Sequence, residues 1–202
     1  MKRHCTILGI LAGMLMLATS CNHSRKFTQT YYSDNEKTIL SIRDRFNRIY
    51  DQHPFSLELK DKYLQRIGLE IITDSIKYIY AFNLNEPYLT DTLRRYGFDI
   101  NAMGDLIIDM QRAHCTWITN LDYYEKYEKK ELLFLSVRHQ ALESFMKPEK
   151  YFTMALFNEE QPVDEKNRLL DKEGLSQFRK IHGKVYRSIN KRAFYAVTDM
   201  YR

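Results

Sequence analysis

The chain has 202 residues, 44% hydrophobic and 28% charged, with only 7 Gly and 4 Pro. That is long enough for one domain with a core of its own and too apolar for a disordered chain. The formal charge of +5 is mild and is spread over the whole chain, so it does not argue for nucleic acid, which requires Lys and Arg gathered on one face.

The N-terminus reads as a leader. Lys2, Arg3 and His4 form a short basic segment, and Ile7 through Ala18 an apolar stretch of about a dozen residues, as in a signal-peptide core. A membrane-spanning helix needs about 20. Ser20 sets a small residue before Cys21, and the chain then turns polar with Asn22, His23, Ser24, Arg25 and Lys26. Ala18-Thr19-Ser20-Cys21 resembles the lipobox of bacterial lipoproteins, with one departure: the Leu usually found three residues before the cysteine stands one place earlier, as Leu17. The resemblance implies that residues 1–20 are a signal peptide and that Cys21 is acylated with palmitate-type chains and becomes the new N-terminus. It also implies that residues 21–33 tether a single domain, 34–202, to the membrane. Asn22, where inner-membrane lipoproteins of enteric bacteria carry Asp, implies the outer membrane of the cell envelope. Each buried methylene contributes about 0.8 kcal/mol, so a multiply acylated Cys21 would hold stably. An ordinary signal peptide cut near Ser20, or an uncleaved anchor, is the competing reading. Cys5 leaves with the leader. Cys115 is then the one other thiol, and no intramolecular disulfide forms.

Ser33 and Glu36 have the S-x-x-E spacing of a capping box, and Ile39, Ile42, Phe46 and Ile49 follow at helical spacing, which predicts a helix over 34–51 that ends before Pro54. Ile67, Leu69 and Ile71 alternate, Thr73-Asp74-Ser75 turn the chain, and Ile76, Tyr78, Tyr80 and Phe82 alternate again, as in a hairpin. Asn85 as cap, Pro87 in the first turn and Gly97 as stop mark a short helix. Met103, Ile107, Met110, His114, Trp117, Leu121 and Tyr124 step by four and three, predicting a long helix over 100–127. From Leu132 the period changes: Leu132 to Leu135 and Val137 read as a strand buried on both faces, with a helix through Met146 as the alternative. Tyr151 to Phe157 alternate as a strand, and a polar loop surrounds Pro162. Leu175, Phe178 and Ile181 then predict a short helix within 165–182, stopped by Gly183. Val185, Arg187 and Ile189 alternate, Asn190-Lys191 turn, and Phe194 to Thr198 form a last strand. The fold class expected is α+β: an antiparallel sheet of about 5–6 strands with helices packed on one face and an N-terminal helix. Fifteen Tyr and 11 Phe agree with a substantial sheet. The order of elements is similar to that of PAS-like sensor domains, in topology alone, and the helix at 165–182 interrupts the final strands of such a domain.

No chemistry-bearing motif stands out. Of His23, His53, His114, His139 and His182, no two have helical metal-pair spacing and none adjoins a C-x-x-C, so no metal and no cofactor is expected. His114-Cys115 has the composition of a base and nucleophile, but neighbours on a helix point about 100° apart. His114 reads as a core histidine, and Cys115 as a packing contact or a half-exposed thiol. Asp105, Asp109 and Arg112 read as a solvated ion-pair face. Tyr31, Tyr32, Tyr123, Tyr124, Tyr127 and Tyr186 fill the core and its rim or, where exposed, stack on ligands. The run from Glu125 to Glu131 reads as a solvated helix end, and Arg187, Lys191 and Arg192 as a basic cluster beside the last hairpin. The expected function is a non-enzymatic envelope lipoprotein with a binding or structural role. Its expected contacts are the membrane, through its acyl chains, and an envelope protein partner, with no nucleic acid. The alternative is a small-ligand domain, PAS-like or solute- or glycan-binding, with a pocket between sheet and helices lined by His114, Trp117 and Tyr78.

Overall fold

In the computed structural model, which describes residues 30–125, 128–138, 150–170 and 185–198, the apolar periodicities resolve into three helices and eight strands among those residues. Helix α1 occupies residues 30–50. Contacts divide the chain between Asn35 and Glu36 into two units, and the sheet and other helices belong to the second. Within the first, the Asn35 side-chain amide donates to the Tyr31 carbonyl at 3.0 Å. Three strands follow: β1 (Phe55–Leu59), β2 (Arg66–Ile72) and β3 (Lys77–Asn83). After them come α2 (Pro87–Arg95) and α3 (Ile100–Arg112). The chain closes with β4 (Cys115–Glu125), β5 (Glu128–Arg138), β6 (Tyr151–Phe157), β7 (Arg187–Ser188) and β8 (Ala193–Thr198).

All eight strands form one antiparallel sheet in the order β3-β2-β1-β4-β5-β6-β8-β7. Two antiparallel halves therefore meet at the β1–β4 seam, the meander β1–β3 and a second meander β4–β6 to which β8 and then the edge strand β7 are added, and α2 and α3 carry the chain from the β3 edge back to the seam. Successive side chains in a strand point to opposite faces, so the register assigns every residue to a side. Phe55, Leu57 and Leu59 oppose Ile71, Leu69 and Ile67, which oppose Tyr78, Tyr80 and Phe82. This is the helix side: Phe46 of α1 packs on Phe55 at 4.7 Å, and Phe98 meets Phe55 edge-on at 5.6 Å. Ile39, Ile42, Met103, Leu106 and Met110 are buried in the same unit.

The other side is buried too over the second meander. Trp117, Tyr123, Leu132, Phe134, Phe157 and Phe194 form a second core, closed by Leu169 and Tyr186 from the loops. Its rings meet edge-on, Trp117 with Phe134 at 5.2 Å and Phe157 with Phe194 at 5.5 Å, the arrangement favoured by the ring quadrupoles.

The expected α+β class with an antiparallel sheet and an N-terminal helix is found, but eight strands replace the expected five or six. One of the extra strands is β1, a five-residue stretch whose F-S-L-E-L alternation is too short to stand out beside Pro54. The helix expected from 34 is helical from 30, so Ser33 and Glu36 lie inside it and do not cap it. Glu86, not Asn85, is the N-cap of α2. Gly97, at φ 78°, does stop α2: Phe98 N–H donates to Leu93 O at 2.9 Å and Gly97 N–H to Arg94 O at 3.1 Å, a Schellman turn.

The stretch 100–127, expected as one helix, holds a helix followed by a strand. The helix starts as anticipated, capped by Asp99, whose carboxylate accepts from Asn101 and Ala102 N–H at 2.8 and 3.1 Å. It ends at Arg112, and β4 begins at Cys115. His114 takes φ 49°, the left-handed position that closes a helix, and its N–H donates to Gln111 O at 3.1 Å. Beyond it Thr116, Trp117, Ile118 and Thr119 are β-branched or aromatic and fit a pleated sheet better than a helix. In the run expected as a solvated helix end, Glu125 lies in β4 and Glu128 to Glu131 in β5, with Glu125 paired to Glu128, while Lys126 lies outside the described residues. In the stretch expected as helix 165–182, residues up to 170 form turns and the bridge Val163 to Leu169. The Asp164 carboxylate holds them by accepting from Lys166 and Arg168 N–H. Leu175, Phe178, Ile181 and Gly183 lie outside the described residues, as does Met146.

Two outcomes follow for stability. Phe46, fully buried between Tyr50 and Phe55, should cost about 3–5 kcal/mol when replaced by Ala, measured by denaturant unfolding. His114→Val should cost about 1–2 kcal/mol, because a β-branched residue resists positive φ, whereas His114→Gly should escape that strain.

Candidate functional site

The residues nominated as a pocket do not meet. Tyr78 lies on the helix side of β3, 38% exposed, with its ring 5.6 Å from that of Tyr96. Trp117 lies on the opposite side: it pairs with Glu58, while its neighbour Ile118 pairs with Leu57. It is buried in the second core, and its Nε1–H donates to Ser56 Oγ at 2.9 Å. His114 is half-buried at the end of α3, and its carbonyl accepts from Arg138 N–H at 3.0 Å. The sheet itself thus separates Tyr78 from Trp117. Cys21 lies outside the described residues, as do His23, His139, His182 and Tyr127.

Cys115 is fully buried, and its thiol donates to the Trp117 carbonyl at 3.4 Å. Burial raises it from the ordinary 9.0 to about 12, so it is a neutral packing group and no nucleophile at physiological pH. His53 packs its ring on Phe98 at 5.0 Å. Among the described residues, no three of His, Cys, Asp and Glu converge to hold a metal ion.

Of the expected ion-pair face, Asp105 and Arg112 are exposed and Arg112 pairs with Asp109 at 3.4 Å, but Asp109 itself is not solvated. Asp109 is 7% exposed and accepts from Ser41 Oγ at 2.8 Å and Arg45 Nε at 3.1 Å. Arg45 also reaches Asp105 at 2.7 Å, so the carboxylates of α3 clamp α1. Tyr123 and Tyr186 are core residues, Tyr186 sharing a hydrogen bond with Thr153 Oγ1 at 3.1 Å, and Tyr124 is exposed. Burial pushes both Tyr123 and Tyr186 phenols up. In the basic cluster, Lys191 pairs with Glu160 at 2.9 Å.

One cleft lies between helix and sheet, at a place that periodicity did not nominate. Asn47 and Asp51, four residues apart at the C-terminal end of α1, face Asn120 of β4, Glu131, Leu132 and Leu133 of β5, and Asn158 beyond β6. They enclose an open cleft of about 210 Å³. Its origin is a mismatch of length. On the helix side of β4 and β5, Ile118, Leu133 and Leu135 are apolar where α1 covers them. Further along, Asn120, Asp122 and Glu131 are polar where α1 has ended. Asn120 Nδ2 donates to Glu131 Oε2 at 3.0 Å, and Lys129 pairs with Asp122 at 3.2 Å. Three carboxamides and two carboxylates give this cleft both donors and acceptors, enough to bind a small polar molecule. Its only advance signal was the break in the apolar alternation of β4 at Asn120.

The chain matches no protein-family model, and neither the curated proteins nor the solved structures contain a match. No helix among the described residues is long and apolar enough to cross a membrane.

The Cys115 thiol links stability to pH. Its folded-state value stands above 9.0, so the native state keeps a proton that the unfolded chain releases in alkali. The stability it contributes is complete below about pH 9 and falls as pH rises toward 12. Wild type should therefore lose stability relative to Cys115→Ala between pH 8 and about pH 10.5 in denaturant titrations. Native protein at pH 8 should also resist iodoacetamide, and modification as fast as in the unfolded chain would contradict this.

Proposed function

We propose that this chain is an envelope lipoprotein: the leader is removed, Cys21 is acylated and becomes the N-terminus, and the α+β body is held at the membrane, in the outer membrane by the absence of Asp at position 22. The observation that carries the reading is the sequence Leu17-Ala18-Thr19-Ser20-Cys21 behind a basic segment and an apolar core of signal-peptide length. The body then has a binding or structural role, and its partner is a molecule of the envelope. The chemistry of the second unit supports that role: its buried cysteine is neutral, and its best-buried helix carboxylate, Asp109, is engaged by Ser41 and Arg45.

A second reading is favoured by the cleft at the end of α1, which makes the body a small-ligand module. A PAS-like sensor is its finer form. The order of N-terminal helix, antiparallel strands, helices and antiparallel strands supports that form, and the third strand ahead of α2 counts against it.

The tether has a direct test. Cys21→Ser should abolish labelling by a palmitate analogue and move the protein out of the membrane fraction, with unfolding of the body unchanged. Continued labelling and membrane fractionation would overturn the lipoprotein reading.

A further inference from the structure

The cleft between α1 and the β4–β5 strands has a chemistry that selects among ligands. We propose that it binds a small organic ammonium ion, held by Asp51 and Glu131 and oriented by the carboxamides of Asn47, Asn120 and Asn158. The inference rests on the reading of the body as a ligand-binding module.

Size comes first. A cleft of about 210 Å³ has room for about seven waters and is smaller than the ~300–1,000 Å³ typical of sites for drug-sized ligands. Its occupant is therefore a small, compact molecule. Polarity comes second: five of the seven lining residues are amides or carboxylates, which disfavours an apolar ligand.

Charge decides the sign. Asp51 and Glu131 line the cleft, and no Lys or Arg does so among the described residues. The nearby Lys129 is engaged with Asp122 at 3.2 Å. Helix α1 ends here, and the C-terminal end of a long helix carries roughly half a negative charge. Tyr50, one residue before Asp51, reports the same field: after burial, the carboxylates of Glu131 and Asp122 are what push its phenol above the ordinary value, against Lys129. An anion would meet repulsion from all of these. A neutral polyol would satisfy the amides and leave the field unused. A primary ammonium has three N–H donors for acceptors that are present as carboxylate and carboxamide oxygens.

Binding is tested by NMR on the full chain, following the side-chain amide signals of Asn47, Asn120 and Asn158. The probes are ethanolammonium chloride, its neutral counterpart ethylene glycol, and calcium chloride. The cleft is open to solvent, so saturable shifts with ethanolammonium in the millimolar range are expected, weakening as salt rises. Asp51→Asn should weaken binding about tenfold, as loss of one charge-assisted contact does. Asn47→Ala, which keeps the charge, should weaken it less. Ethylene glycol shifting the same amides equally well would overturn the ammonium assignment and leave a ligand-binding module standing, and so would calcium binding more tightly. Shifts with none of the three, while the backbone spectrum stays that of the folded protein, would remove both the ammonium assignment and the small-ligand reading on which it rests.

Discussion

The fold depends on one seam. β1 and β4 are the strands where the two antiparallel halves of the sheet meet, and among the described residues no other pairing joins β1–β3 to β4–β8. The ladder there is short, with Leu57 opposite Ile118 and Glu58 opposite Trp117. Side chains reinforce it: Ser56 Oγ accepts from Trp117 Nε1 and donates to the Ile118 carbonyl at 3.3 Å. Both Ser56 and Trp117 are buried, where an unmet indole N–H or hydroxyl would cost roughly 1–3 kcal/mol. The bond thus matters less for what it adds than for what its absence would leave exposed in the core.

The seam also explains why both sides of the sheet are covered. At β1 the helix side is sealed by aromatic contact, Phe55 against Phe46 and Phe98. At β4 the opposite side carries Trp117 into a second core closed by Leu169 and Tyr186. The strands of the second meander are long, eleven residues each in β4 and β5, and outrun the helix that covers them. Where α1 stops, the sheet changes from apolar to polar on that side, and a cleft remains. The cleft is thus a consequence of packing lengths, and its chemistry comes from which polar residues fill the uncovered strand ends.

Much of the fold was legible. The hairpin at Ile67–Phe82 alternates cleanly because one side faces the helices. The stop at Gly97 is legible because its positive φ suits glycine, and a Cβ there would come within 3.1 Å of His53. The helix expected through Tyr124 was misleading for a definite reason. Trp117, Leu121 and Tyr124 satisfy a helical step and, at Trp117, Leu121 and Tyr123, a strand's alternation as well. Local spacing cannot choose between the two when both sides of the element are buried. For Asp109, local spacing shows the pair with Arg112, which forms at 3.4 Å, but not its shorter contacts with Ser41 and Arg45, more than sixty residues away.

By itself the sequence determined the helix faces of α1 and α3 and most of the strands, because these depend on residues close together in the chain. Tertiary structure alone decided that Trp117 and Tyr78 lie on opposite sides of one sheet, that Cys115 is sealed as a neutral thiol, and that Asn47, Asp51, Asn120, Glu131 and Asn158 share a cleft. Those juxtapositions depend on strand register and on where a helix ends above a longer strand, and both are settled by the packing of segments far apart in sequence.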